Sequence, residues 1–490
     1  MLWLFILVPL AALIAANLPV GRVARSCAPG LVLVLAVLQV AAAIAWPGWL
    51  ASGRDLLEQF LHLKMNLSPG DFDLSRVLLL SIGIIAFVSI LVAGSMIADT
   101  RQRFQFACVL LIAMGGMNGV VLVGDLFSLY VFLEVTTVCS FVLIASQKGL
   151  LALEGAFKYI MLSAVATTLM LGAIALFMMM AGGTSFDQVH TALAAPGGGV
   201  LPKIAMGAFL CGLLVKGGLV PFHGWLPAAY STAPAPVSVL LAGIVTKVSG
   251  VYALLRIFGS FSKAGDGVLG ILSPGTAMSQ LLLLAGAVSI VVGALAAIGQ
   301  KDLKRMLAYS SISQVGYIVL GLGGATPLAI AGAIFHLFNH SIFKGLLFVN
   351  SAALEQRLGT TDMNRMGGLS VRMPVTGATN VIGLLSAAGV PPMAGFWSKL
   401  IIVVALWKSG LYAYATVAIL FSVVTLAYLL IMQRKIFFGQ LHESLSAVRE
   451  AGFGVVLAAL VLAAITLGVG LAAPLLSGTF LMPERILGFP

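Results

Sequence analysis

An all-α polytopic membrane protein of about 14 transmembrane helices is the fold that the sequence predicts, and three observations carry that reading. Of 490 residues, 60% are hydrophobic and only 9% are charged, with a mean hydropathy of +1.11, whereas a soluble domain carries roughly 25% charged residues. Apolar runs of about 20 residues, the length needed to cross ~30 Å of hydrocarbon, recur from one end to the other. No polar block between them is large enough to fold alone, so residues 1–490 read as one transmembrane domain without a water-soluble catalytic module. Soluble enzymes, disordered chains, collagen and coiled coils are excluded on the same grounds.

In chain order the apolar runs lie near 2–20, 28–50, 77–98, 104–123, 126–146, 157–181, 203–221, 235–258, 276–299, 305–323, 328–354, 375–405, 411–433 and 453–475. The first lacks a basic stretch before it and is read as a retained span rather than a cleaved signal peptide. The run at 77–98 is the clearest, bounded by Arg76 and Asp99 with no charge between them. The run at 126–146 carries Glu134, and the run at 375–405 is too long for one straight span.

The net charge of +11 would suggest a nucleic-acid partner in a soluble protein. Here the basic residues sit mainly in short loops, where they set orientation instead, and no nucleic-acid partner is expected. Fifteen of the 27 fall in one set of alternate loops, from Arg22 to Arg449, and eight in the other set with the tail. The positive-inside rule places the first set on the cytoplasmic side and both termini outside. The four cysteines, Cys27, Cys108, Cys139 and Cys211, form no CxxC pair, so this chain alone builds neither an iron–sulfur cluster nor a zinc knuckle.

The remaining four basic residues, Lys216, Lys247, Lys344 and Lys399, lie inside spans, as does Glu134. A charge at the bilayer centre costs about 2.5–3.5 kcal/mol on insertion scales, so each is a functional candidate. Glu134, in LYVFLEVTTVCSF, has no nearby lysine in sequence, and Lys216, in CGLLVKGGLVPFHGWLP, is the obvious partner from another helix. Burial lowers a lysine's proton affinity and a nearby carboxylate restores it, so the pair reads as a switchable proton carrier; an ion pair that only locks two helices is the alternative.

Lys216 precedes Gly217, Gly218 and Pro221, and Lys399 follows Gly389, Pro391 and Pro392. Both spans are expected to break near mid-membrane, and the strings GLVPFHGWL and GVPPMAGFW resemble each other. Paired broken helices point to an ion pathway, against simple proline kinks as the alternative. Lys247, too deep to snorkel, calls for water or a neighbouring acid. His336, His340 and Lys344 recur every four residues in IFHLFNHSIFKGLLF and form one polar stripe. The i,i+4 histidines could suit a metal, but HLFNH lacks the glutamate of HExxH and no third ligand follows, so a proton relay is preferred to a metal site or a purely structural stripe. Asp125 reads as interfacial, KDLKRM as an anchor, and Gln314 as a residue that could bond water in a channel. His223, beside the first break, could gate it or cap freed carbonyls.

These residues, in this order, resemble the antiporter-like membrane subunits of respiratory complex I, of Mrp-type cation/proton antiporters and of energy-converting membrane hydrogenases. The resemblance spans nearly the whole chain and rests on Glu134 in VFLEV, Lys216 with PFHGWLP, Lys247, KDLKRMLAYSSISQVGY, HLFNHSIFKGLLF, TTDMNRMGGL and GVPPMAGFWSK. It implies two inverted five-helix repeats, 104–258 and 276–433, each with a broken helix, flanked by helices in 1–98 and 453–475. It further implies that Glu134 and Lys216 act as a switch, that Lys247, His336 and His340 carry protons laterally, and that Lys399 opens to the outside. Lys344 resembles the branches that place a lysine after the second histidine. No cofactor is expected in this chain; iron–sulfur clusters, flavin or nickel would belong to peripheral redox subunits, beside other membrane subunits, in a prokaryotic cytoplasmic (inner) membrane. The chain would then move protons, driven by partner redox chemistry in an oxidoreductase of NADH:quinone or hydrogenase type, or exchange them for Na⁺ in an Mrp-type antiporter. A scaffold that has lost transport and an enzyme acting on quinone are the rivals from other classes.

Overall fold

The computed structural model describes residues 4–17, 21–45, 72–147, 149–194, 199–262, 274–441 and 443–476. Of the loop charges used for orientation, Arg54, Lys64, Lys148, Lys263 and Arg485 lie outside the described residues, as do parts of the apolar runs at 2–20 and 28–50. Among the described residues the regular elements are helices, with two isolated β-bridges. In order they are α1 (Leu4–Asn17), α2 (Gly21–Ile44), α3 (Phe72–Met96), α4 (Thr100–Leu122), α5 (Leu126–Ile144), α6 (Leu150–Ala181), the short α7 (Phe186–Ala194), α8 (Val200–Gly217) and α9 (Trp225–Thr232). Next, α10 runs from Ala235–Leu240 through π-helical Leu241–Val245 and Lys247–Tyr252 into Ala253–Ser262. The rest are α11 (Ala277–Ile298), α12 (Leu303–Gly323), α13 (Pro327–Leu358), α14 (Pro374–Ala388), α15 (Ala394–Lys408), α16 (Tyr412–Phe437) and α17 (Phe453–Leu476).

Among the described residues, twelve helices are long and apolar enough to cross a membrane. The two expected spans that fall short have identifiable reasons. At 2–20 the described helix, α1, has only 14 residues, and at 375–405 the run is divided into α14 and α15 of 15 residues each.

Helix starts follow from local chemistry. The side chains of Asp99, Asp125 and Asp302 accept backbone N–H bonds from the first turns of α4, α5 and α12, satisfying donors that would otherwise be orphaned. One arrangement occurs twice. Asp125 opens α5, Leu126 N–H bonds Thr184 O at 2.9 Å, and the intervening 32-residue α6 ends at Gly182. Asp302 opens α12, Leu303 N–H bonds Thr361 O at 2.9 Å, and the 32-residue α13 ends at Gly359.

The two helix breaks are also built alike. Gly218 (φ 67°) ends α8 and Gly389 (φ 82°) ends α14, both in the left-handed region that a side chain disfavours. Each carries the same pair of closing bonds, Gly218 N–H to Val215 O with Leu219 N–H to Leu214 O, and Gly389 N–H to Ser386 O with Val390 N–H to Leu385 O. Three residues beyond each glycine stands a cis proline, Pro221 and Pro392. Side chains take up backbone groups freed there: Ser289 accepts from Val220 N–H at 3.0 Å, Trp225 Nε1–H donates to Val215 O at 3.0 Å, and Asn339 Nδ2–H donates to Ala394 O at 2.9 Å.

Burial sorts the helices into a centre and a rim. The span Ala235–Ile257 is wholly buried, and most of α12 and α13 is buried too. By contrast α6 and α16 expose Leu151, Phe157, Val423 and Ile431, apolar side chains suited to lipid. Of the ionisable residues that the sequence places inside spans, Lys216, Lys247, Lys344 and Lys399 are buried in the interior of the bundle, while Glu134 on α5 is partly exposed.

Candidate functional site

Glu134 projects from α5 and Lys216 from the last turn of α8, directly before the first break. Lys216 Nζ donates to Glu134 Oε1 at 3.2 Å, to Thr137 Oγ1 at 2.9 Å and to Ser163 Oγ of α6 at 3.2 Å. The lysine side chain is 3% exposed and the glutamate 33%. The pair is therefore asymmetric: the ammonium is committed to the interior, while the carboxylate retains an edge toward the surroundings and can move or hydrate at lower cost. Two neutral hydroxyls share the ammonium, so it keeps acceptors when the carboxylate withdraws.

Beyond Lys216 a small cavity is lined by Tyr159, Ser163, Val215, Lys216, Trp225 and Ser249. Ser249 lies on the π-helical stretch of α10, two residues from Lys247. The close approach of α8 and α10 depends on two glycines facing each other, since a Cβ on Gly250 would overlap Gly217 Cα. Lys247 itself is fully buried and donates to the carbonyl of Ala242 in its own helix. Among the described residues it has neither a carboxylate partner nor a direct bond to Lys216; the cavity reaches the neighbouring Ser249 on the same helix. A π-helical turn leaves carbonyls out of the regular ladder, which is how one can serve a side chain here.

The stripe on α13 comes next. The ring of His340 lies in coulombic range of Lys247, Lys344 and Lys399. His336 and His340 stack with centroids 6.2 Å apart and planes 4° from parallel. Lys344 Nζ donates to Leu307 O of α12 at 3.1 Å. Among the described residues neither ring nitrogen of His340 has a hydrogen-bond partner, and the same is true of both amide atoms of Gln314 and of Ser313 Oγ on α12. Buried polar groups are nearly always partnered, so this cluster of open donors and acceptors is suited to a hydrated path.

Past the histidines, His336 Nδ1 stands 2.9 Å from Ser398 Oγ, and Lys399 follows Ser398 on α15. Lys399 Nζ donates to Ala387 O at 2.8 Å, to Ala388 O at 3.4 Å and to Ser422 Oγ at 3.3 Å, and it lies 4.4 Å from the centre of the Tyr317 ring. Carbonyls released at the C-terminus of α14, the negative end of its dipole, hold this ammonium, with no carboxylate partner among the described residues.

The structure thus joins Glu134 to Lys216 directly and groups Lys247, Lys344, His340, His336 and Lys399 around α13. Pro221, Pro391 and Pro392 lie in the breaks that present Lys216 and Lys399, and His223 lies in the first break loop between α8 and α9. Among the described residues no group of three His, Cys, Asp or Glu could hold a metal. Sequence reasoning missed several participants. Thr137, one turn after Glu134, and Ser398, beside Lys399, had a local signal, whereas Ser163, Ser422 and Tyr317 come from distant helices and had none. Lys304, read as part of a surface anchor, is instead buried at the start of α12, where it pairs with Glu355 of α13 at 2.6 Å and donates to Ala233 O at 3.0 Å. Arg256, counted among loop charges, is also buried, donating to Val121 O and to Tyr252 Oη.

Residues 123–425 match the family model described as NADH:quinone oxidoreductase/Mrp antiporter, TM. The chain is 34% identical over 407 residues to a Na(+)/H(+) antiporter subunit of Alkalihalophilus pseudofirmus, covering 82% of this chain and 80% of that one. It is 35% identical over 328 residues to a NADH-quinone oxidoreductase subunit of Desulforudis audaxviator, covering 67% and 64%. Among solved structures, a chain of the Mrp complex from Dietzia sp. superposes with a TM-score of 0.85 at 25% identity, covering 99% of this chain and 96% of that one.

Proposed function

Because this chain belongs to the NADH:quinone oxidoreductase/Mrp antiporter family of transmembrane proteins, we propose that it is the proton-translocating, antiporter-like subunit of a multisubunit membrane complex. Other membrane subunits bind it laterally, and peripheral subunits supply the drive and hold any iron–sulfur, flavin or nickel group. The observation that carries this reading is the series of ionisable groups from Glu134 to Lys399, buried except at Glu134, with every lysine in it offered oxygen acceptors in the interior. A scaffold has no use for these groups and could shed their insertion cost.

In the proposed cycle Glu134 sets the state of Lys216. With the carboxylate engaged, the ammonium has a counter-charge worth about 4 kcal/mol at an effective dielectric of 20. When Glu134 withdraws, Thr137 and Ser163 still solvate the lysine, but the charge is uncompensated, and a proton is released through the Ser249 cavity toward Lys247. From there it passes along His340, with Lys344 beside it, and His336 to Lys399, which opens to the outside. Moving one charge against the membrane potential costs about 2.3 kcal/mol per 100 mV, so the drive comes from electron transfer in partner subunits or from a counter-ion gradient.

The full architecture belongs to the same proposal: fourteen spans, two inverted five-helix repeats over 104–258 and 276–433, and both termini outside a prokaryotic cytoplasmic membrane. The repeated Asp125 and Asp302 caps, the two 32-residue helices and the two matching breaks support the repeats. The excess of loop lysine and arginine supports the orientation. A second reading, an Mrp-type Na⁺/H⁺ antiporter subunit, is favoured by the 82% of this chain that aligns with the Alkalihalophilus pseudofirmus antiporter protein.

Glu134→Gln tests the core of the proposal. In membrane vesicles carrying the intact complex, the variant is expected to abolish coupled proton uptake while the complex still assembles. Undiminished uptake would sink the switch. Uptake that depends on Na⁺ in the unmodified complex would decide for the antiporter reading.

A further inference from the structure

We propose that Ser398 is a positioning residue that fixes His336 in the Nδ1–H tautomer, so that the ring offers an unprotonated Nε2 to the buried path. The inference rests on the reading of His336 as a proton carrier. Both residues are fully buried, and His336 Nδ1 lies 2.9 Å from Ser398 Oγ. A serine hydroxyl has one hydrogen and two acceptor lone pairs. Ser398 Oγ lies 3.2 Å from Gly395 O on its own helix and donates to it, the local back-bond that serine commonly makes in a helix. Its lone pairs then face Nδ1, which must supply the hydrogen.

The other nitrogen makes the same choice. His336 Nε2 is buried and has no hydrogen-bond partner among the described residues. Around the ring stand Tyr317, Phe343 and His340, with centroids 5.8, 6.1 and 6.2 Å away. A buried N–H with no acceptor is rarer and costlier than a buried acceptor left open. Placing the hydrogen on Nδ1, against Ser398, avoids the orphan donor, whereas the opposite tautomer creates one.

This gives His336 a defined working edge. An incoming proton binds at Nε2 and forms an imidazolium that keeps its Nδ1–H bond to Ser398. When the proton leaves from Nε2 the original neutral tautomer returns, and Ser398 gains and loses nothing. Exchange between His336 and its neighbours therefore runs past the Nε2 edge and not through the serine, although Ser398 is adjacent to Lys399 in sequence. Without the hydroxyl, both neutral tautomers become accessible, and the Nε2–H form cannot accept a proton on that edge.

The experiment is ¹⁵N NMR of the histidine-labelled complex in lipid, with the His336 signals assigned by their loss in His336→Gln, run beside coupled proton uptake and native-gel assembly. In the unmodified complex His336 is expected to show a protonated Nδ1 and a bare Nε2. In Ser398→Ala the two tautomers should mix, and uptake should fall about tenfold, short of the ~10²–10⁴ contributed by a positioned proton carrier, because the ring itself remains. Ser398→Thr should restore both readouts, which separates the hydroxyl's role from a packing defect. A bare Nδ1 in the unmodified complex, an unchanged tautomer in Ser398→Ala, or a changed tautomer with full uptake would each overturn the proposal. Full uptake in a complex carrying His336→Leu would instead overturn the carrier reading, while the tautomer result remains a separate measurement.

Discussion

At Lys216 three acceptors compete for one ammonium, and only Glu134 among them carries charge. Lys216→Met removes the titrating group while keeping the volume of the stem, so it is expected to abolish coupled proton uptake in vesicles without preventing assembly. Normal uptake in that variant would contradict the switch. Lys304 illustrates the opposite case, a buried lysine held firmly at 2.6 Å from Glu355 and bonded to Ala233 O, bridging the start of α12, the end of α13 and the segment after α9. This pair is read as structural. Lys304→Ala leaves the Glu355 carboxylate without its partner, and because that carboxylate is a quarter exposed the cost is set below that of a fully buried pair, at about 1–3 kcal/mol. A lower unfolding midpoint in detergent would register it, and a Lys304→Ala/Glu355→Ala double mutant should recover part of the loss.

Two features of the helices themselves decide where these charges stand. Each break needs a glycine in the left-handed region, Gly218 and Gly389, and the carbonyls released at the second one hold Lys399. Gly389→Ala forces a Cβ into that conformation with Lys399 Cδ 3.0 Å away, at a cost of about 1–2 kcal/mol in backbone conformation alone. Reduced proton uptake with the complex still assembled is the expected outcome, and full uptake would show that the break geometry is not needed. The contact of Gly250 with Gly217 is less forgiving, because backbone meets backbone and no flexible side chain can give way. Gly250→Val should push α10 from α8, separate Lys247 from the Lys216 cavity and destabilise the subunit by about 1–3 kcal/mol or more. Loss of the assembled complex on a native gel, or of uptake where it assembles, would register this; a fully active complex would contradict the tight packing.

At the scale of the whole molecule, the question is what this bundle works with, and mass spectrometry of whatever co-purifies in mild detergent answers it. Redox subunits are expected; only small membrane subunits would turn the reading toward an antiporter, and a chain isolated alone would contradict the assembly. Much of the fold and site was legible in the chain itself. Apolar runs must become helices in lipid because every backbone polar group needs an internal partner, so length and hydropathy located the helices. The insertion cost of charge singled out Glu134, Lys216, Lys247, Lys344 and Lys399, glycine and proline marked both breaks, and four-residue spacing put His336, His340 and Lys344 on one face. Tertiary structure alone decided which of these groups meet. It gave Lys216 the hydroxyls of Thr137 and Ser163, set Ser398 against His336, placed Tyr317 under Lys399, and turned Lys304 from a surface charge into a buried bridge. The physical reason is that helical periodicity is a local property readable along one strand of sequence. Partners from different helices depend on how the glycine contacts and the breaks dock those helices in three dimensions.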